Sequence, residues 1–442
     1  HRVVFGLGPT GLSVARVLHR SGEAFSVVDT RPVPPCLEQL RKEMPEVPVF
    51  TGDIPESVLA GAGQLVVSPG IALDERHVAD ALEAGVPVLG DIDLFVAAAT
   101  APVVGITGSN AKSTVTALVG EMAQAAGLDT GVGGNLGPPA LDLLAPEREL
   151  YVVELSSFQL ERAGRLDLCL ATVLNMSADH LDRHGSMPRY HQAKHRIFRG
   201  CQTAVVNRDD PLTVPLVEEG VNVISWGMGE PDLENFGLRL IDGVEFLCRG
   251  FDPLLASAAL PLPGRHNIAN ALAALAIGHG IGLPLEAMQA GLANFRGLSH
   301  RCELVVEAGG VRWVNDSKGT NVGATEAALR GLGGDHNLIL IAGGQAKGAD
   351  FSALKQALSV HGRLLVTLGE DASRIEDALG DTLPTRRAES LAQAVAMAAE
   401  AAQRGDTVLL SPACASFDMF ASYIDRGEQF AELARRVAEE RT

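Results

Sequence analysis

Residues 102–120 read PVVGITGSNAKSTVTALVG: a β-branched apolar run, a turn of small polar residues, then a stretch rich in Ala, Val and Leu. A strand feeding a helix through such a turn is half of a βα unit, and repeated βα units build a parallel sheet covered by helices. The turn is close to the phosphate-binding pattern G-x-x-x-x-G-K-[ST], but Ile106 and Ala111 stand where that pattern has glycine. Read as a phosphate site, the amides of Gly108, Ser109, Asn110 and Ala111 cradle the anion and Lys112 reaches toward the β/γ positions. Ser113 or Thr114 then meets Mg²⁺. Read without a ligand, the stretch is a polar helix start with a stray lysine. On these residues alone both readings stand.

The same alternation runs along the chain. RVVFGLG, FSVVDT, QLVVSPG, LYVVELSS, ATVLNMS, TAVVNRDD, LILIAGG, LLVTLG and TVLLSPA are strand candidates separated by Ala/Leu-rich helical stretches, and many end in Gly, Ser, Asp or Asn. Loops at the carboxyl ends of parallel strands are where such a fold binds ligands. The expected fold is α/β in three domains: residues 1–90, 91–297 and 298–442. Within the second, residues 221–262 alternate in hairpin fashion and are expected to form a small antiparallel insert. The 442 residues are too many for one core. A formal charge of −18 argues against a nucleic-acid binder. The six scattered cysteines, without C-x-x-C, fit reduced thiols better than a disulfide frame or zinc site. No apolar run reaches the ~20 residues of a membrane span. The chain opens on a strand pattern without signal-peptide character, so a cytoplasmic protein is expected; it lacks an initiator Met, so a few native residues are expected to be missing from its start.

Several motifs then need weighing. GLGPTG (6–11), between a strand and a helix and followed by Asp29 at the next strand end, has the spacing of a dinucleotide fingerprint. It admits a nicotinamide-dependent oxidoreductase, a ligand-free tight turn, or another nucleotide-like anion near Thr10, Thr30 and Arg31. Ser68 and Gly70 of SPG could face the same crevice. Glu154 ends the strand LYVVE and could be a second Mg²⁺ ligand beside a phosphate loop; its bland reading is a solvent-facing strand end. Asp179, His180, Asp182, His184, His191, Lys194 and His195 fall within 17 residues. His191 and His195 have the one-turn spacing of a zinc pair, but no HExxH or cysteine partner accompanies them. His266, Asn267 and Asn270, and later His300, Arg301, Asp316, Lys318 and Thr320, could be caps and turns taken singly. Cys414 reads as a small buried residue rather than a nucleophile.

In order along the chain, GLGPTGLS, DTR, SPGIAL, GDIDLF, TGSNAKST, GGNLG, ELSSFQLE, NMSADHLDRH, YHQAKHRIF, GRHNIANALAA, HRCE, NDSKGTNVGAT, GGQAKGADF and SPACASFDMF resemble the Mur ligase family. The resemblance is nearest to its members that add D-glutamate to UDP-N-acetylmuramoyl-L-alanine in peptidoglycan synthesis. It implies a Rossmann-like UDP-binding domain at 1–90, a central P-loop ATPase-type domain at 91–297, and a C-terminal Rossmann-like domain at 298–442 that closes over the ATPase.

The resemblance assigns Thr10, Thr30, Arg31, Ser68, Gly70, Asn135 and His180 to the UDP-sugar. It assigns Gly108 to Thr114, His266, Asn267, Asn270, Arg301 and Asp316 to ATP, and Asp179, Lys318, Thr320, Lys347, Ser416 and Phe417 to D-glutamate. Lys112, Glu154, His180 and Lys194 are the implied catalytic group. Two Mg²⁺ ions are implied, on Ser113 and Glu154 and on His180 and Lys194, with Lys194 carried as a CO₂-derived carbamate. A carboxylate is too poor an electrophile for an amine at neutral pH, so ATP would first convert it to an acyl phosphate. The amine then attacks, and a tetrahedral intermediate expels phosphate. Small-molecule substrates and a monomer are implied, and no hydride chemistry.

Some residues depart from the family pattern: Ala111 where glycine is usual, Gly319 where alanine is usual, and Gln345-Ala346 where Asp-Gly is commoner. A sibling ligase for another amino acid is the nearest alternative, and folylpolyglutamate synthetase-like chemistry a more distant one. From other classes come the oxidoreductase and a non-catalytic nucleotide-binding regulator.

Overall fold

The structure, a computed structural model, describes residues 1–440. Among these residues the strands form three sheets. The first contains β1 (Arg2–Phe5), β2 (Phe25–Asp29), β3 (Val49–Thr51), β4 (Gln64–Val67) and β5 (Val88–Leu89), all parallel, in the order β3-β2-β1-β4-β5. Chain order reverses between β1 and β4, which opens a crevice beyond their carboxyl ends. The loops carrying Gly6–Gly11 and Ser68–Gly70 start there. The turn is tight enough to need its glycines. A Cβ on Gly11 would lie 1.8 Å from the Gly6 carbonyl oxygen, and Gly6 has φ +99°.

The second sheet holds β6 (Val103–Thr107), β7 (Thr130–Gly134), β8 (Leu150–Glu154), β9 (Leu170–Val173), β10 (Thr203–Asn207), β11 (Asn222–Trp226), β12 (Phe236–Ile241), β13 (Val244–Arg249) and β14 (Asp252–Ala256). Their order is β14-β13-β12-β11-β10-β9-β6-β8-β7. β6 and β8 are buried along their whole length, as a central parallel strand covered on both faces should be. Here too the order reverses, around β6, so the 108–114 turn leaves the sheet at a switch point beside Glu154, whose register partner is Ile106. Antiparallel pairing occurs within the stretch where the sequence suggested it, at β12–β13–β14. It extends the central sheet rather than standing apart, because β11 pairs parallel to β10 and carries the ladder on to β12.

The third sheet, β15 (Glu303–Ala308), β16 (Val311–Asn315), β17 (Leu338–Gly343), β18 (Gly362–Leu368), β19 (Thr385–Arg387) and β20 (Thr407–Leu410), has the order β15-β16-β20-β17-β18-β19 and is parallel except for β15. Its two faces bury separate apolar clusters, one around Leu340, Leu365 and Leu409 and one around Trp313, Ile341 and Phe430. This is the α/β, mostly parallel architecture expected.

Two compact units are formed. The first comprises His1–Met176, Pro188–Ala256 and Ala271–Asn294, and so holds the first two sheets. The second comprises Ser177–Met187, Ser257–Asn270 and the chain from Phe295 onward.

Candidate active site

In the first unit the 108–114 turn is a built structure. Ala111 has φ +65° and ψ −4°, the left-handed conformation that glycine adopts without steric cost, immediately before the helix Lys112–Ala125. The Lys112 ammonium donates to the carbonyls of Gly108 (2.9 Å) and Ser109 (3.0 Å). Ser113 Oγ donates to Glu154 Oε2 at 2.5 Å, and Asn135 Nδ2 donates to Glu154 Oε1 at 2.7 Å. Glu154 is only 2% exposed. Lys194, 1% exposed on the helix Met187–His195, donates to Thr107 Oγ1 (3.1 Å) and to the Gly108 carbonyl (2.8 Å). Two ammonium groups therefore converge on one carbonyl oxygen. Glu154 is not the solvent-facing strand end of its bland reading.

Two braces of this turn escaped the sequence reading. Asn175, just past β9, accepts from the Asn110 amide through Oδ1 (2.8 Å) and donates back to the Asn110 carbonyl (3.1 Å). Its own carbonyl accepts from the Ser109 amide (2.9 Å). The Tyr190 hydroxyl meets Ser109 Oγ at 3.1 Å. Asn175 lies within NMSADH, but its partners are 65 positions away, and nothing local marks it. The His191–His195 pair is used differently from a zinc pair: the rings stack at 3.8 Å and both Nε2 atoms bond the Leu212 carbonyl, at 3.0 and 2.7 Å.

At the first sheet, Asp29 is committed within the protein. Its Oδ2 accepts from the Leu7 amide (2.7 Å), and Arg31 forks onto both oxygens (2.8 and 2.6 Å). Burial pushes this carboxyl up, but the hydrogen bonds from Arg31 and Leu7 outweigh it and hold it below its ordinary value. A dinucleotide enzyme uses a carboxylate here for the ribose hydroxyl; this one is filled by Arg31. Thr30 and Arg31 are exposed at the strand end, Thr10 lies in the first turn of the helix Pro9–Arg20, and Ser68 Oγ donates to the Gly6 carbonyl (2.9 Å).

The second unit gathers the remaining candidates. His180 takes φ +52° ahead of the short helix Leu181–His184. Asp179 accepts from the His180 amide (2.9 Å) and from Asn321 Nδ2 (3.0 Å), which ties it to the 316–321 loop. Asp316 is buried at the end of β16, accepting from Ser411 Oγ (2.7 Å) and the Cys302 amide (3.2 Å); burial pushes its carboxyl up to about 6 despite those donors and Arg301. The Lys318 ammonium sits 3.9 Å from the centre of the Tyr423 ring, a cation–π contact with a residue the sequence reading did not single out. Arg426 is buried and donates to Ser317 Oγ and to the Ser317 and Cys414 carbonyls, joining the 316–320 and 411–416 loops.

Gln345 and Ala415 exchange backbone hydrogen bonds (3.0 and 2.9 Å), setting Lys347, with φ +50°, and Ser416 on neighbouring loops. Phe417 is 68% exposed, whereas Ser416 is buried. Burial pushes the Cys414 thiol up to about 12, which leaves it a packing residue. Asn267 Nδ2 donates to the Pro263 carbonyl (2.8 Å). The His266 ring lies against Gly331, its Nδ1 buried without a partner among the described residues, and burial lowers it to about 4, so it is neutral.

Three family models match: the Mur ligase MurD-like N-terminal domain at residues 1–90, the Mur ligase middle domain at 106–278, and the Mur ligase glutamate ligase domain at 300–414. The UDP-N-acetylmuramoylalanine–D-glutamate ligase of Pseudomonas putida is 52% identical over 439 residues, covering 99% of this chain and 98% of its own length. The protein of the same name from Marinobacter nauticus is 50% identical over 432 residues, covering 98% and 97%. Among solved structures, the MurF ligase of Thermotoga maritima in complex with ADP aligns with a TM-score of 0.62 at 17% identity, over 100% of this chain and 95% of that one. The UDP-N-acetylmuramate–alanine ligase of the same organism aligns at 0.60 and 18%, over 98% and 99%. At these identities the structural matches speak to the fold.

Proposed function

The chain belongs to the Mur ligase family and is an ATP-dependent ligase joining D-glutamate to UDP-N-acetylmuramoyl-L-alanine in peptidoglycan synthesis, and we propose that it does so with the residues described above. The observation that carries the residue-level reading is the chain Ser113–Glu154–Asn135 at adjacent strand ends, next to two lysines that share the Gly108 carbonyl.

The reaction forces two anions together, the γ-phosphate of ATP and the alanyl carboxylate. Lys112 offsets that repulsion, and the turn amides from Gly108 to Thr114 hold the phosphates. The phosphoryl group passes to the alanyl carboxylate oxygen and ADP leaves. The D-glutamate amine then adds to the acyl carbon, loses its proton, and inorganic phosphate departs. Ser113 and Glu154 are hard oxygen donors of the kind Mg²⁺ takes. The ion would supply positive charge to the phosphate oxygens. Lys194 suits a carbamate for a physical reason: an ammonium sharing an acceptor with Lys112 repels it, whereas a carbamate attracts it and can face a second Mg²⁺.

In the second unit we assign His180 to metal and UDP-sugar, His266, Asn267, Asn270, Arg301 and Asp316 to the nucleotide, and Asp179, Lys318, Thr320, Lys347, Ser416 and Phe417 to D-glutamate. Residues 1–90, 91–297 and 298–442 are then the UDP, ATP and amino-acid domains of a cytoplasmic monomer. Among the described residues no helix is long and apolar enough to cross a membrane.

Phosphate release with ATP, Mg²⁺ and UDP-N-acetylmuramoyl-L-alanine should require D-glutamate; release with another amino acid instead would move the chain to a sibling activity. Lys194→Ala should lose most activity and recover part of it with added short carboxylates. A fully active Lys194→Ala would remove the carbamate from the mechanism.

A further inference from the structure

Arg162 follows the short helix Ser157–Leu160 and its side chain is fully buried. A guanidinium out of water is costly unless its N–H groups are matched. Nε donates to the Phe158 carbonyl at 3.0 Å. One terminal nitrogen donates to the carbonyls of Val67 (3.1 Å) and Ser68 (2.7 Å). The other donates to those of Pro69 (3.4 Å) and Ile71 (2.7 Å) and to Glu161 Oε1 (3.0 Å). Four carbonyls, one at the end of β4 and three in the loop after it, are thus turned toward a single planar fork.

That has a consequence on the loop's other side. In a trans peptide the carbonyl and the following N–H point in opposite directions, and the described residues contain no cis bond. Drawing the Pro69 carbonyl toward Arg162 aims the Gly70 N–H away from it. Gly70 is exposed, a Cβ there would meet nothing within 4 Å, and its N–H has no partner among the described residues. The flanking amides are spent: Ser68 on the Phe5 carbonyl, Ile71 on the Ser68 carbonyl, while Pro69 has none. The Gly70 N–H is thus a donor that this loop can present to an anion.

We infer that Arg162 is a positioning residue for the UDP-sugar substrate, acting through the Pro69–Gly70 peptide to present the Gly70 amide to an anionic oxygen of that substrate. This rests on the assignment of Ser68 and Gly70 to the UDP-sugar site. Lysine keeps the charge but cannot serve four carbonyls at once. Arg162→Lys should therefore raise KM for UDP-N-acetylmuramoyl-L-alanine about tenfold, with kcat and KM for ATP and D-glutamate within about twofold of the parent. Gly70→Pro, which deletes the donor, should raise the same KM, and Arg162→Lys added to it should do nothing more.

Equal changes in all three KM values, or additive effects in the double variant, would make Arg162 a fold strut and overturn the inference. If Arg162→Lys does not fold, hydrogen exchange of the unmodified enzyme decides. The Gly70 amide should exchange readily alone and slow on addition of UDP; exchange unaffected by UDP overturns it. The underlying assignment has its own control: if Arg31→Ala and Gly70→Pro both leave the UDP-sugar KM unchanged, that assignment fails, whereas an effect there with none from Arg162→Lys sinks only the inference.

Discussion

Two turns of this protein depart in opposite directions from the pattern that the sequence resemblance implies. At the 108–114 turn the chain places a Cβ where that pattern has glycine, and Ala111 has φ +65°. At the turn after β16 it removes a Cβ where alanine is usual, and the vacated space is occupied: a Cβ on Gly319 would lie 2.5 Å from Asp316 Oδ2 and 2.8 Å from Ser411 Oγ. The first departure stores its cost in a backbone angle, about 1–2 kcal/mol for an L residue. The second lets a buried carboxyl and a hydroxyl meet. A missing glycine and an added one thus mean different things, and only the surroundings say which.

The difference is sharpest in pH. A backbone angle does not titrate, but Asp316 does. Burial raises its pKa from an ordinary 3.8 to about 6, so between those values the folded chain holds this proton more tightly than the unfolded chain. The stability it contributes is full below about 4 and is lost as pH rises toward 6. His266 has the opposite sign: lowered from 6.5 to about 4 by burial, it favours the fold increasingly as pH rises through that interval. In the unmodified chain the two slopes largely offset each other. In His266→Gln, the unfolding free energy should fall by on the order of 2–3 kcal/mol between pH 4 and 6.5 from the Asp316 proton. His266→Gln with Asp316→Asn should lack that component. Urea titrations of both variants across the interval measure it; identical slopes would remove the electrostatic half of the comparison.

Next in size is the Cβ itself. Gly319→Ala should push the Asp316 carboxyl off Ser411, lowering unfolding free energy by about 1–3 kcal/mol and raising KM for ATP more than that for the UDP-sugar. Adding Ser411→Ala makes room and removes the partner, so the double variant should lose less than the sum. Strict additivity would mean that the three groups are not packed as one.

How far these features were legible follows the same division. The strand–turn–helix order, the strand ends and the residues at them are local patterns, and the α/β fold with Glu154 beside the 108–114 turn follows from them. What depended on distant partners was not legible. Asn175 is an unremarkable loop residue until its two bonds to Asn110 are seen. Asp29 fitted a ribose ligand until the Leu7 amide, 22 positions earlier, and Arg31 filled it. Arg162 sits beside a motif but serves a loop some 90 positions earlier. Tyr423 meets Lys318 across 105 positions, beyond the reach of any spacing rule. The antiparallel hairpin was visible as alternation, but its attachment to the central sheet through β11 is a property of pairing.

The smallest effect tests the first turn. Ala111→Gly should relieve the left-handed angle but give the unfolded chain more freedom, which costs about 0.4–1 kcal/mol. Against a relief of about 1–2 kcal/mol, a net gain of about 0.5–1 kcal/mol remains. The Val115 amide bond to the Ala111 carbonyl (3.0 Å) survives the change, so the helix start is preserved and KM for ATP should move less than twofold. Ala111→Val supplies the counter-test, because a β-branched residue tolerates φ > 0 worse than alanine. The expected order in denaturant unfolding is therefore Gly above Ala above Val. If Ala were the most stable of the three, position 111 would be right-handed or extended in solution, and the two turns would no longer differ in kind.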